Sequence, residues 1–149
     1  MGLSVIYLRF LVPLLYYPQL GACSFSLDVS GPDWNLTAPL LADTTSQACK
    51  DAYSAAVDCE TTIRDLASNL RQGRAWDPTP EELARACVPA CVDSLDAYVR
   101  NVRAACDQPG DSAPVYDSSD PLGPRDPAPV ADVGELLQYI YSRACARNE

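Results

Sequence analysis

The sequence predicts a small all-α domain of about four helices that disulfides crosslink, with a proline-rich linker before the last helix. Three observations lead to this class. Apolar residues recur at intervals of three and four, cysteines lie in the same segments, and an apolar leader precedes them. The predicted organisation is a signal peptide at 1–23, an extended lead-in at 24–45, a cysteine-rich helical core at 46–106, a Pro/Asp-rich linker at 107–130, and a C-terminal helix at 131–146 that docks on the core.

The leader has the pattern of a secretory signal. Arg9 closes a short N-terminal region, Phe10–Leu20 is apolar and uncharged, and the small residues Gly21 and Ala22 follow. The apolar run is too short to span a bilayer, which takes about 20 apolar residues. We therefore expect cleavage after Ala22 or after Cys23, and export to the extracellular space.

Seven cysteines in a short exported chain indicate a disulfide framework. Cleavage after Cys23 would leave an even number, which favours that site modestly over cleavage after Ala22. The six predicted disulfide cysteines are Cys49, Cys59, Cys87, Cys91, Cys106 and Cys145.

Helix geometry narrows the pairing of these six. Cys91 and Cys106 would lie about 22 Å apart along one helix, at 1.5 Å per residue. A disulfide needs Cα atoms within about 7 Å. The same argument separates Cys49 from Cys59 if one helix joins them, and Cys87 from Cys106, while Cys87 and Cys91 would lie side by side and reach outward. Six pairings remain, in which each of Cys87, Cys91 and Cys106 joins one of Cys49, Cys59 and Cys145.

Two helices are predicted near the start of the core. Thr45 or Ser46 can cap the first, because a hydroxyl oxygen accepts a hydrogen bond from a free N–H of the first turn. Gly73 is a natural end for the second. The apolar stripe of the first is Cys49, Ala52, Tyr53 and Ala56, with Cys59 as a candidate last member, and that of the second is Ile63, Leu66 and Leu70.

The third helical unit has the clearest start signal. The motif Thr-Pro-Glu-Glu at 79–82 combines a capping threonine, a proline at the first helical position and a glutamate three residues after the cap, which is a capping box. Pro89 interrupts the apolar stripe that follows, so we expect a short helix and then a longer one, or a kinked one. In the last helix, Asp132 is the predicted cap, and the stripe is Val133, Leu136, Leu137, Ile140 and Ala144.

Composition argues against several function classes. The formal net charge is -9 and Lys50 is the single lysine, so nucleic acids and anionic membranes are poor partners. The chain has no histidine, which removes Ser-His-Asp and Cys-His catalysis and the usual imidazole metal ligands. The spacing of Cys87 and Cys91 differs from the CxxC of zinc and thioredoxin-like sites. We expect no catalytic residue, no metal site and no cofactor.

Surface chemistry gives two weaker signals. Asn35-Leu36-Thr37 is a sequon, which predicts N-glycosylation at Asn35 of an exported chain. Aromatic side chains could stack on sugars or on a partner, although packing of Trp76 beneath a capping turn and of Tyr139 or Tyr141 against the core is the favoured interpretation. The candidate aromatic residues are Trp34, Trp76, Tyr116, Tyr139 and Tyr141.

Several of these segments together resemble a known family. The sequence resembles the cysteine-rich helical region that precedes or separates the LysM modules of secreted fungal LysM-type proteins. The residues that carry the resemblance are Val57-Asp58-Cys59 with Ile63 and Leu66, the stretch from Pro78 to Leu83, Cys87 to Cys91 with Ser94, Leu95, Tyr98, Val102 and Cys106, and Val133 to Leu137 with Tyr139, Tyr141 and Cys145.

The resemblance implies two functions of different classes. LysM modules of such proteins bind chitin-type glycans and open with a Tyr-x-Val-x-x-Gly-Asp-Thr pattern, which this chain does not contain. No glycan-binding residue therefore transfers to a position here. We expect a secreted, non-catalytic, effector-like interaction protein with a protein or cell-wall partner. The alternative is a chitin-binding or carbohydrate-binding role as part of a LysM-type protein whose modules are absent or lie downstream.

Overall fold

The predicted helical segments form α-helices in the computed structural model, which describes residues 23–30, 34, 36–75, 77–114 and 127–146. The all-α class is confirmed, with little strand beside the helices in these ranges. The elements are β1 (Phe25–Ser26), a 3-10 helix (Ala38–Leu40), α1 (Gln47–Tyr53), β2 (Ala56–Val57), α2 (Thr62–Arg71), α3 (Pro80–Ala86), α4 (Pro89–Ala105), β3 (Ala113–Pro114), β4 (Pro127–Ala128) and α5 (Ala131–Cys145).

The capping box and the proline break shape the middle of the domain. The Thr79 hydroxyl accepts a hydrogen bond from the Glu82 N–H, and the Glu82 carboxylate accepts one from the Thr79 N–H at 2.7 Å. Pro89 occupies the first position of α4, where its missing N–H has no partner to lose. The predicted third unit is therefore two helices, α3 and α4, which brings the described total to five rather than about four.

The first helix is shorter than its apolar stripe, whereas the second contains its whole predicted stripe. Ser46 caps α1, its hydroxyl accepting from the N–H of Cys49, but α1 ends at Tyr53. The extension of this helix to Cys59 is wrong, because residues 56–57 pair with the lead-in as an antiparallel strand. Helix α2 ends before Gly73, whose φ of 65° suits a residue without a Cβ.

The lead-in is part of the hydrophobic core rather than only a connection. Strand β1 pairs antiparallel with β2, and the indole N–H of Trp34 donates to the Leu27 carbonyl at 2.8 Å. The Tyr53 hydroxyl donates to the Leu36 carbonyl. The buried lead-in residues are Phe25, Leu27, Trp34, Leu36, Ala38 and Leu41. Residues 1–22 and Asn35 lie outside the described residues, so the signal and the glycosylation site stay predictions.

The predicted linker also has buried and paired ends. The Asp111 carboxylate accepts from the Ser46 N–H at 2.7 Å, and this bond lowers the pKa of Asp111. Ala113 and Val130 are buried, so the segment predicted as a linker contributes to the core near both of its ends. Strands β3 and β4 pair antiparallel, which brings the two ends of 115–126 together, while 115–126 themselves lie outside the described residues.

Helix α5 packs against α2 and α4, with Leu137 fully buried. A Cβ added at Gly134 would lie 2.9 Å from Cγ2 of Val99, so glycine is what permits the close approach to α4. Asp132 is not the cap: Val130 precedes the first helical residue, and no side chain caps the helix. The helix begins at Ala131, two residues before the start that a cap at Asp132 would give, so Asp132 lies inside the first turn.

Three disulfides join the six predicted cysteines. The bonds are Cys49–Cys106, Cys59–Cys91 and Cys87–Cys145, with Cα–Cα distances of 4.6, 4.5 and 5.4 Å. This pairing is one of the six that helix geometry allows, and it ties the C-terminal helix to the end of α3. Cys23 is exposed and unpaired.

Within the ranges given above, every helix is too short or too polar to cross a bilayer.

Candidate interaction site

An apolar groove lies where α2, α3 and α5 meet. Its volume is about 130 Å³. Three helices and the turn before α3 contribute to it, and it exists only because the tertiary fold brings these distant segments together. The lining residues are Leu66, Asp77, Pro78, Leu83, Ile140, Arg143 and Ala144.

Three identifiable features position the α3 and α5 walls of the groove. The capping box fixes the start of α3 and so the position of Leu83, one residue beyond Glu82. Gly134 lets α5 approach α4, which sets where Ile140 lies along the same helix. The bond from Cys145 to Cys87 ties the end of α5 to the end of α3.

The groove combines an apolar floor with one charge of each sign. Asp77 and Arg143 are both exposed, whereas Ile140 is buried and Leu66 and Leu83 are half-buried. Two large apolar side chains on the bordering helices are open to solvent: Leu70 on α2 is 52% exposed and Tyr139 on α5 is 55% exposed. An apolar floor with a polar edge is the pattern of a binding surface, whereas single exposed hydrophobic residues need no explanation.

The structure separates the candidate aromatic residues. Trp34 is 2% exposed and belongs to the core. The Tyr141 hydroxyl donates to the Val88 carbonyl at 3.2 Å, and burial raises the pKa of Tyr141, so this ring seats α5 on the start of α4. Tyr139 is exposed to solvent. Trp76 and Tyr116 lie outside the described residues. The described aromatic side chains therefore form no row of exposed rings on which a sugar chain could stack.

A second depression is lined mainly by polar side chains, and its carboxylates accept hydrogen bonds from groups of the protein itself. It lies between the lead-in and α1. Asp28 accepts from the Ala38 N–H at 2.7 Å, and the Gln47 amide donates to Asp51 at 2.7 Å. Its carboxylates are thus held by the protein's own donors.

Metal-ligating residues do not gather in the described ranges. No group of three or more Cys, Asp or Glu side chains there could hold a metal ion. Glu60 and Glu82 have lowered pKa values, in both cases chiefly because the carboxylate accepts a backbone N–H, from Thr62 and Thr79 respectively. These acids are structural helix-start acceptors.

Comparison with known protein families shows the family to which this chain belongs. The model of the secreted LysM effector N-terminal domain matches residues 35–114, more than half of the chain. This chain belongs to that family. No curated protein and no solved structure matches it.

The family match covers only part of this LysM effector N-terminal domain and ends before α5. The matched residues contain helices α1 to α4 and both cysteines of Cys49–Cys106 and Cys59–Cys91, but only one cysteine of Cys87–Cys145. The α5 wall of the groove therefore lies outside the matched segment. The sequence resemblance to the cysteine-rich helical region of LysM proteins is confirmed. The groove itself gave no sequence signal, because its lining residues are far apart in the chain.

Proposed function

We propose that this LysM effector N-terminal domain is a secreted, non-catalytic interaction protein that binds a partner protein at the groove between α2 and α5. The observation that carries the proposal is the groove itself, whose apolar floor lies between helices that also carry the exposed side chains of Leu70 and Tyr139. Tyrosine at a contact surface often contributes a large share of binding energy, because a rigid ring is buried at small entropy cost.

The proposed partner presents an apolar side chain within a basic surface. The groove is lined mainly by carbon, so an inserted apolar side chain removes apolar surface from water on both molecules. The chain has a formal net charge of -9, and a basic partner surface would accelerate association. Arg143 and Asp77 would then fix the register of the contact, since each favours an opposite charge across it.

A protein partner is better supported than a glycan. Glycan recognition uses exposed rings, and the described rings other than Tyr139 are buried or hydrogen-bonded to the core. The experiment below tests chitin binding separately.

The test compares two sets of surface variants. The groove set is Leu70→Ala with Tyr139→Ala and Arg143→Glu. The matched control is Val29→Ala with Leu40→Ala, which removes two side chains of comparable exposure away from the groove. Extracellular proteins captured by the wild type and by the control, but lost with the groove set, are purified and their affinities measured by calorimetry. We expect binding at least 30-fold weaker for the groove set, which corresponds to about 2 kcal/mol.

Two outcomes would overturn the proposal. Equal affinity of the groove set and the wild type for every captured protein would show that the contact lies elsewhere. Retention of the wild type on insoluble chitin that survives high salt would favour the glycan reading. Circular dichroism of each variant shows that the folds are equivalent.

Extracellular location is part of the proposal and has its own test. The apolar leader predicts that secreted material begins at Cys23 or Ser24 and carries a glycan at Asn35. N-terminal sequencing and the mass change after deglycosylation measure both. Secreted protein that begins at Met1 would contradict the signal.

A further inference from the structure

The three disulfides differ in how far they are buried. Cys59 and Cys91 are 2% and 0% exposed, so their bond lies in the core. Cys49 is 0% exposed, while its partner Cys106 is half-buried. The third bond has two half-buried cysteines.

The Cys87–Cys145 bond also borders an open depression. The volume of this depression is about 480 Å³. Thiol–disulfide exchange requires the attacking thiolate to reach a sulfur atom, so access decides which bond reacts. We propose that Cys87–Cys145 is a redox-sensitive staple, the first disulfide that a dithiol reductant opens, and that its opening releases the last turn of α5. The remaining residues that line this depression are Pro89, Val92, Tyr141, Ser142 and Ala146.

Helix α5 is anchored differently at its two ends. Every buried residue of the helix lies between Ala131 and Ile140. After Ile140, the noncovalent attachments are the half-buried side chains of Tyr141 and Ala144 and the hydrogen bond from the Tyr141 hydroxyl to Val88. The disulfide is thus the main anchor of the last turn, whereas burial of Leu137 and its neighbours keeps the first ten residues docked without it.

Release of the last turn would alter the groove. Arg143 and Ala144, two of its lining residues, lie within residues 141–145. Reduction would therefore loosen the α5 wall while the α2 and α3 walls stay in place. The effect on partner binding rests on the proposed function, but the opening of the bond does not.

The reaction balances with a dithiol as the reductant. One thiolate of the dithiol attacks Sγ of Cys87 or Cys145, the protein S–S bond breaks, and the released sulfur leaves as a thiolate that takes up a proton. The second thiol of the reductant, deprotonated, then attacks the mixed disulfide and frees the other cysteine, which is protonated. Two electrons pass to the protein, and the dithiol becomes a disulfide.

The first test follows the order of reduction. The protein, with Cys23 blocked beforehand if it is retained, is treated with limiting dithiothreitol or, in a parallel arm, with a thioredoxin-type protein dithiol. New thiols are alkylated, and peptides are mapped by mass spectrometry. We expect labels on Cys87 and Cys145 at least tenfold faster than on Cys59 and Cys91, and ahead of Cys49 and Cys106. Simultaneous labelling of all six, or earlier labelling of either other pair, would overturn the proposal.

The second test measures the release by hydrogen exchange. The variant C87S/C145S is compared with C49S/C106S, a matched control because the two disulfides span 58 and 57 residues. We expect amide exchange at 141–145 to rise at least tenfold in C87S/C145S, with a smaller change at 131–140. In the control, exchange at 141–145 should rise no more than in α4.

Each outcome of the second test is decisive. Unchanged protection at 141–145 in C87S/C145S would refute the staple, and an equal rise there in both variants would show a general loss of stability instead. If C87S/C145S does not fold, the selectively reduced wild type from the first test is measured in its place. Neither readout involves a binding partner, so failure of the proposed binding role would leave both results interpretable.

Discussion

Replacement of Gly134 by alanine tests the packing of α5 on α4 most directly. Helix propensity alone predicts stabilisation of about 1 kcal/mol, since glycine is the poorer helix former. The structure predicts the opposite sign. A Cβ at this position would lie 2.9 Å from Cγ2 of Val99 and 3.1 Å from Cε1 of Tyr98, whereas carbon atoms pack best at about 3.5–4.0 Å.

The size of the effect follows from how well the neighbours can move. Tyr98 is held by the hydrogen bond from its hydroxyl to the Tyr53 carbonyl at 2.8 Å, and Val99 is 3% exposed. Overpacking of a filled site costs about 1–3 kcal/mol. After the propensity gain is subtracted, Gly134→Ala should destabilise the protein by about 1 kcal/mol, a fall in Tm of about 4 °C. Gly134→Val should cost about 3 kcal/mol, because its branched side chain meets the same neighbours.

Thermal and urea unfolding of the oxidised protein, followed by circular dichroism, measure both variants. The control is Ser142→Ala, an exposed position in the same helix whose hydroxyl bonds only to its own helix, at the Tyr139 carbonyl. It should leave Tm unchanged or slightly higher. A Gly134→Ala protein that is more stable than the wild type, by the amount that propensity predicts, would show that α5 does not approach α4 so closely.

Three further perturbations have defined outcomes. Tyr98→Phe removes the hydroxyl that donates to the Tyr53 carbonyl and should cost about 1–2 kcal/mol in urea unfolding, and an unchanged midpoint would contradict the hydrogen bond. The pKa of Glu60 is lowered from 4.5, chiefly by the Thr62 N–H, so its stabilising effect is present above pH 4.5 and is lost as the pH falls through the lowered value. Glu60→Gln should therefore reduce the loss of stability between about pH 6 and about pH 3, and an identical pH profile would refute this. Thr79→Ala removes the cap of α3 and should lower the free energy of urea unfolding by about 1 kcal/mol. Thr79→Ser should keep most of that stability, because its hydroxyl can still cap the helix.

Sequence reasoning succeeded where a local signal decides the structure. The capping box at 79–82 and the break at Pro89 each depend on residues within one turn of one another, so neither needs knowledge of the fold. Helix rise likewise excluded a bond between Cys91 and Cys106, which lie near the two ends of α4, although its premise that one helix joins Cys49 to Cys59 was wrong. The choice of Cys87 for Cys145 among the remaining pairs required the tertiary arrangement of α3 and α5.

Sequence reasoning failed where partners are distant in the chain. The lead-in shows no period that marks it as buried, yet Phe25 pairs with Val57, and Leu27 accepts from Trp34. Asp132 matched the pattern of a helix cap, but the start of α5 is set by its packing, and Val130 is buried just before it. The groove was unpredictable for the same reason, since Leu66, Leu83 and Ile140 meet only after three helices have packed.

The overlap of two disulfide loops has a consequence for resistance to proteolysis. The bond Cys49–Cys106 closes a ring of residues 49–106, and the bond Cys87–Cys145 closes a ring of residues 87–145. The two rings share residues 87–106. Every peptide bond from Cys49 to Cys145 therefore lies inside at least one covalent ring. A single proteolytic cut anywhere in that interval leaves two chains that a disulfide still joins in one molecule. Separation into fragments requires a further cut or prior reduction of the disulfides.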